Sequence, residues 1–327
     1  MPTFTATAPG KIILFGEHAV VYGHPALAVP VTKVCAKAII TGESQAKVPE
    51  MRVVAPDIGL DAPLSGLKPG NPAREVIKSV FATLGVTQIP PCTLTVTSTI
   101  PIASGLGSGA AISAAIIRAL SAFLKHPLPN EQVSALAYEI EKIHHGTPSG
   151  IDNTVIAFEK PVYFVKPLPS LNGRGTGGEG PAIQTFSIPQ PFTILIGNTG
   201  ISSLTKETVG DVRQAWQANP KRYQRIFAAV GSIAKAARHA IESGHPARLG
   251  PLMDENHYFL QEMGVSSPEL DRLVNAARQA GALGAKLSGG GRGGNMIALA
   301  EKPQADAVAQ AMLKAGAMGI IITQVGE

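Results

Sequence analysis

The sequence predicts an α+β chain of two domains rather than a doubly wound parallel sheet. Three observations carry that expectation. Short β-branched strands and longer helical patterns come in groups instead of alternating one by one. The stretch TLTVTSTI (93–100) sets Leu94, Val96 and Ile100 on one face and threonines on the other, the pattern of a half-exposed strand, commonly antiparallel. A Gly- and Pro-rich run, 166–191, parts two segments of domain size and reads as a long loop or linker. The boundary is expected near its end, giving domains 1–190 and 191–327.

Taken in order, TFTATA, KIILFG and ALAVPV are short strands bounded by Pro and Gly, with Pro9-Gly10 read as a turn ahead of Lys11. After TLTVTSTI comes a glycine cluster and then GAAISAAIIRALSAFL (109–124), whose single charge is Arg118. A helix apolar nearly all round belongs in the middle of its domain. A second helix is signalled by Asn130 as N-cap, with Glu131 in its first turn and Val133, Leu136, Ala137, Ile140 and His144 at helical spacing, and stops at Gly146-Thr147-Pro148. The second half opens with the strand FTILIG (192–197). Helical patterns follow at about 205–217, 220–243, 246–263 and 268–280, then the strands AKLS and NMIALA around GGGRGG (289–294), a helix over 304–315 and the strand GIIITQV.

Composition narrows the function. The chain has 327 residues, 45% of them hydrophobic, enough for well-filled cores. With 28 Lys+Arg against 23 Asp+Glu, the net charge of +5 suits an anionic ligand but is too mild, and too scattered, for nucleic acid. Cys35 and Cys92 show neither CxxC nor Cys/His spacing, so no disulfide framework or zinc site is expected. Lys11, Glu17 and His18 interrupt the apolar N-terminal run short of a signal peptide, and no stretch has the length of a membrane span. A cytoplasmic protein is the expectation.

Three segments carry candidate chemistry. In PIASGLGSGAA (101–111) the glycines leave the first N–H groups of the following helix uncovered, and with the positive end of the helix dipole these attract an anion. A tight turn between strand and helix reads equally well from this segment alone. Gly105, Gly107 and Ala110 fit the loose dinucleotide pattern GxGxxA, but the preceding strand alternates with threonine and no second strand ends in an acid about 20 residues on. No GxxxxGK[ST] occurs, which excludes a Walker A loop. In EKIHHGTPSGIDN (141–153), Glu141 and Asp152 suit a division of labour, one acid holding Mg²⁺ and the other receiving a proton from a hydroxyl. A solvated helix residue and a turn cap are the alternatives. In APGKIILFGEHAVVYG, Lys11 either snorkels to solvent or faces Asp152 and steadies a hydroxyl losing its proton.

Together with KLSGGGRGG near the C-terminus, these segments resemble the GHMP kinase superfamily, and within it the mevalonate kinases. Four motifs match in family order over nearly the whole chain: the APGKIILFGEHAVVYG opening, PIASGLGSGAA for PxxxGLGSSAA, HGTPSGIDN for HGxPSGxDN, and KLSGGGRGG for KLxGxGxGG. The resemblance implies a two-domain fold, N-terminal ribosomal protein S5 domain 2-like and C-terminal ferredoxin-like α+β. It implies ATP- and Mg²⁺-dependent phosphorylation of the 5-hydroxyl of mevalonate, with Asp152 as base and Lys11 beside it. Pro101, Gly105, Leu106, Gly107, Ser108, Gly109 and Ala110 are then the ATP-binding residues, and Glu141 binds Mg²⁺. Glu17, His18, Thr205, Gly289, Gly290 and Gly291 fall on the mevalonate side. Gly109 departs from the pattern: the family serine there is a magnesium ligand, so Ser108 or water completes the shell. The resemblance leaves a homodimer open. Phosphomevalonate kinase, another small-molecule kinase of the scaffold, or a non-catalytic ATP-binding regulator are the competing readings.

Overall fold

A computed structural model describes residues 2–43, 50–88, 91–101, 105–145, 149–166, 182–202 and 205–326. Most of the expected linker (167–181) and the 146–148 turn lie outside the described residues, as do the side chains of His144 and Thr205. The chain forms two compact units. One comprises Met1–Lys11, Val34–Ile102 and Leu106–Glu159; the other comprises Ile12–Lys33, Ala103–Gly105 and Lys160–Glu327.

The chain begins with β1 (Thr3–Phe15) and β2 (Pro25–Gly42), and β1 pairs with β2. Pro9-Gly10 is no turn, because β1 runs straight through it. A proline sits inside a strand wherever its missing N–H has no ladder bond to donate. Then come β3 (Met51–Ala55), β4 (Leu60–Pro63), α1 (Pro72–Leu84) and β5 (Cys92–Ser98). In the first unit, β5 lies antiparallel to the second half of β2, with Ile40 opposite Leu94 and Ala38 opposite Val96. It runs parallel to β3, which is antiparallel to β4. Cys92, Leu94 and Val96 are buried while Thr93, Thr95 and Thr97 are half-buried, as the alternation predicts.

Helices α2 (Ser108–Phe123), α3 (Asn130–His145) and α4 (Ile151–Phe158) complete that unit. Ala110, Ala114, Ile116, Ile117 and Leu120 bury α2 on all sides. Arg118 spends its charge on neighbouring acceptors: Thr7 O at 3.0 Å, Ala157 O at 2.6 Å, Asn130 Oδ1 at 3.3 Å and the carboxylate of Glu159.

The second unit adds β6 (Val162–Val165), β7 (Ala182–Thr185) and β8 (Phe192–Asn198), then α5 (Thr205–Ala218), α6 (Pro220–Glu242), α7 (Leu249–Glu262) and α8 (Pro268–Gln279). It ends with β9 (Gly284–Ser288), β10 (Asn295–Ala300), α9 (Ala305–Lys314) and β11 (Gly319–Val325). The first half of β2 pairs with β6, and β6 with β7. Residues 182–185, expected as loop, are therefore a strand, whose backbone groups are satisfied opposite β6. An antiparallel sheet in the order β11-β8-β10-β9 forms the floor of a core where Leu195, Phe227, Leu260, Leu273, Leu287 and Met296 pack together. Among the described residues no helix is long and apolar enough to cross a membrane.

Candidate active site

In the first unit, α2 starts from Gly107, which holds φ at 75° and offers no side-chain cap to the N–H groups behind it. The first turn carries no acid. These amides and the dipole of a 16-residue helix suit an anion. Gly107 is needed there for a second reason. A Cβ on it would lie 2.9 Å from Ile156 Cδ1 and 3.0 Å from Lys11 Cγ. Leu106 and Ala110 are buried anchors on either side, Ser108 is half-buried, and Pro101, Gly105 and Gly109 are exposed.

Lys11 comes to the same place along β1. Its backbone N–H donates to Leu106 O at 2.9 Å, which fixes the strand to the glycine bend. Its side chain is buried and its Nζ stands 3.0 Å from Asp152 Oδ1, so it does not snorkel outward. Asp152 follows the expected turn and lies in the first turn of α4, behind the left-handed cap Gly150, so the alternative of a turn cap does not hold. Side-chain bonds help to hold α4 in place: Thr154 Oγ1 donates to Gly150 O at 2.7 Å, and Asn153 Nδ2 donates to Ser134 Oγ at 2.8 Å on α3. Asp152 keeps about a quarter of its side chain exposed (28%), enough to meet a substrate.

Glu141, on α3, is buried. Desolvation, and then the negative charge of Asp152, push its carboxyl up to about 8, against a smaller pull from Lys11. Mg²⁺ usually takes one or two carboxylates plus substrate phosphates and water, and a buried Glu141 near Asp152 suits that ion. A positive ion there offsets both burial and repulsion. Among the described residues no group of three or more His, Cys, Asp or Glu forms a dedicated metal cage.

In the second unit, Glu17 and His18 follow the end of β1. Glu17 pairs with Lys286 of β9, both fully out of solvent. His18 sits at φ 59° and donates from Nε2 to Gly290 O at 3.0 Å. Burial holds its ring neutral, down to about 4, and the nearby Arg292 charge adds to this against the Gly290 bond. Gly291, at φ 79°, lies so close to Val265 O that no Cβ fits. The loop is pinned by Arg292, whose N–H donates to Val265 O at 2.8 Å and whose guanidinium pairs with Asp211 on α5. Thr205 opens α5.

Sequence reasoning missed Lys286. The signal was available: a lysine between Ala285 and Leu287 in a strand with no exposed face must have a buried counter-charge.

An uncapped helix start beside a lysine–carboxylate pair has the features that phosphoryl transfer calls for, charge to offset phosphate and a group to meet a hydroxyl. The family model "GHMP kinases N terminal domain" matches residues 71–160 and "GHMP kinases C terminal" matches 237–317; the chain belongs to the GHMP kinases. It is 35% identical to the mevalonate kinase of Thermococcus sibiricus, over 97% of this chain and 94% of that one. It is 33% identical to the mevalonate kinase of Pyrococcus furiosus over the same shares. The crystal structure of L. major mevalonate kinase in complex with R-mevalonate superposes with a TM-score of 0.82 at 28% identity, covering 98% of this chain and 95% of that one.

Proposed function

We propose that the protein is an ATP-dependent kinase that phosphorylates the 5-hydroxyl of mevalonate, giving 5-phosphomevalonate in the mevalonate pathway. The observation that carries this reading beyond the family likeness is the Lys11–Asp152 contact beside the bare start of α2. In the reaction a bond forms between the 5-oxygen and the γ-phosphorus, the bond from that phosphorus to the β-phosphate oxygen breaks, and the hydroxyl proton passes to Asp152. Lys11 holds the Asp152 carboxylate in place and offsets the charge growing on the attacking oxygen. The amides of Gly105 to Ala110 hold the triphosphate and, with Pro101 alongside, orient it. Glu141 and Ser108 are the ligands we assign to Mg²⁺, which supplies charge neutralisation on the phosphates when bound. Glu17, His18, Thr205 and Gly289 to Gly291 are assigned to the mevalonate end.

The test is direct. The purified chain is given ATP and Mg²⁺ with mevalonate, phosphomevalonate, galactose or homoserine in turn, and ADP release is followed. Turnover with mevalonate alone is expected. Preference for phosphomevalonate makes it the next kinase on the same scaffold, and no turnover with any acceptor leaves a nucleotide-binding regulator.

A further inference from the structure

Lys286 lies in the middle of a strand buried along its whole length, and none of its surface reaches solvent. An ammonium in such a place survives only with a counter-charge and full hydrogen bonding. Its Nζ donates to Glu17 Oε1 and to Leu287 O at 2.6 Å, and lies 5.9 Å from the centre of the Phe15 ring. Burial pulls the ammonium toward its neutral form; Glu17 pulls it back. Two further bonds tie the same stretches together: Ser288 Oγ donates to Ile13 O at 2.7 Å, and His18 donates to Gly290 O. Among the described residues, other titratable groups near this cluster have partners of their own. His257, on α7, accepts from Leu287 N–H through Nδ1 and donates to Asp271 of α8. Arg278 pairs with Asp254, and Arg292 with Asp211.

We propose that Lys286 is a positioning residue for mevalonate binding, acting through Glu17: it fixes the carboxylate in place, cancels its charge, and anchors the 289–294 loop to residues 16–18. The inference rests on the reading above in which Glu17, His18 and that loop meet mevalonate. Mevalonate is itself a carboxylate, and an uncompensated Glu17 repels it. A protonated Glu17 loses one of its acceptor positions to its own proton. The buried lysine answers both difficulties, since it carries the opposite charge and donates to one Glu17 oxygen.

The test is a double-mutant cycle on the full chain with Glu17→Gln, Lys286→Met and both, reading KM for mevalonate and for ATP separately across about pH 6 to 9. No mevalonate turnover by the wild type defeats the functional reading itself, apart from anything about Lys286. With an active wild type, Lys286→Met is expected to raise mevalonate KM by about tenfold or more and leave ATP KM within about twofold. That mevalonate KM climbs with pH as Glu17, now without its partner, ionises. In the double variant the pH climb vanishes and mevalonate KM is no higher than in Glu17→Gln alone. A wild-type mevalonate KM in Lys286→Met overturns the proposal, and so does a parallel rise in both KM values, the mark of general loosening. Should Lys286→Met fail to fold, the double variant decides: a mevalonate KM above that of Glu17→Gln overturns action through Glu17, and an equal one supports it.

Discussion

Replacing Gly107 by alanine adds one methyl group at the most crowded point of the glycine bend. Two penalties follow. The residue holds φ at 75°, where an L side chain costs about 1–2 kcal/mol. The new Cβ lies 2.9 Å from Ile156 Cδ1 and 3.0 and 3.3 Å from Lys11 Cγ and Cε, an overpacking of about 1–3 kcal/mol. Ile156 is buried in α4 and has nowhere to go, so the stem of Lys11 yields, carrying its ammonium away from Asp152. A misplacement of about 1 Å in a catalytic group costs roughly 10²-fold in rate. Gly107→Ala is therefore expected to lose about that factor in kcat and ~2–5 kcal/mol of stability by urea unfolding. Gly109→Ser is the control. Gly109 has no left-handed φ and nothing within 4 Å of an added Cβ, so the serine is expected to keep turnover and leave stability equal or better. Wild-type stability and turnover in Gly107→Ala would refute the reasoning.

Asp152→Asn is expected to lose about two to four orders of magnitude in turnover with ATP affinity nearly intact; near-normal turnover removes Asp152 from the proton step. Glu141→Gln should raise the Mg²⁺ concentration for half-maximal rate by roughly tenfold or more, and a magnesium titration that overlays the wild type excludes it as a ligand. The pH dependence of stability has a definite sign at His257, which burial holds down to about 4 from 6.5. Between those values the unfolded chain binds a proton that the folded chain does not, so the contribution is full above about pH 6.5 and lost as pH falls through about 4. It amounts to about 3 kcal/mol. Urea unfolding from neutral to acid pH should show that fall, and His257→Gln should flatten it; an unchanged acid limb in the variant rejects the assignment.

The long helices and the alternating strand β5 were legible because each repeats its period often enough to stand out. Thus α2, α5, α6 and α8 lie within a residue or two of their expected spans. Short elements were not. The eight residues of α4 give barely two turns, too few for a period to stand out after the turn that precedes Asp152. Four residues of β7 sit in a Gly- and Pro-rich surround, and their strand character comes from β6 alone. The helix α1 is absent from the expected elements, although Asn71 as cap, Pro72 behind it and an apolar face of Val76, Ile77, Val80 and Phe81 supply its signals. At the site, the glycine bend, Lys11, Glu141 and Asp152 were legible through spacing and family motif. What spacing never reveals is which distant residue answers a buried charge: Lys286 and Glu17 are partners across most of the chain's length.

Arg118 has a further effect. A rod that is greasy all the way round has no preferred azimuth in an oily bed, and a slip of one residue turns it by about 100°. Arg118, some three turns along from Ser108, is the indexing pin: its guanidinium engages β1, the head of α3 and the tail of α4 at once. Trimmed to leucine, the helix would still form and still fill its slot, yet its leading amides would no longer have one heading. A cation some three turns from the glycine bend thus sets which way the leading amides of α2 face.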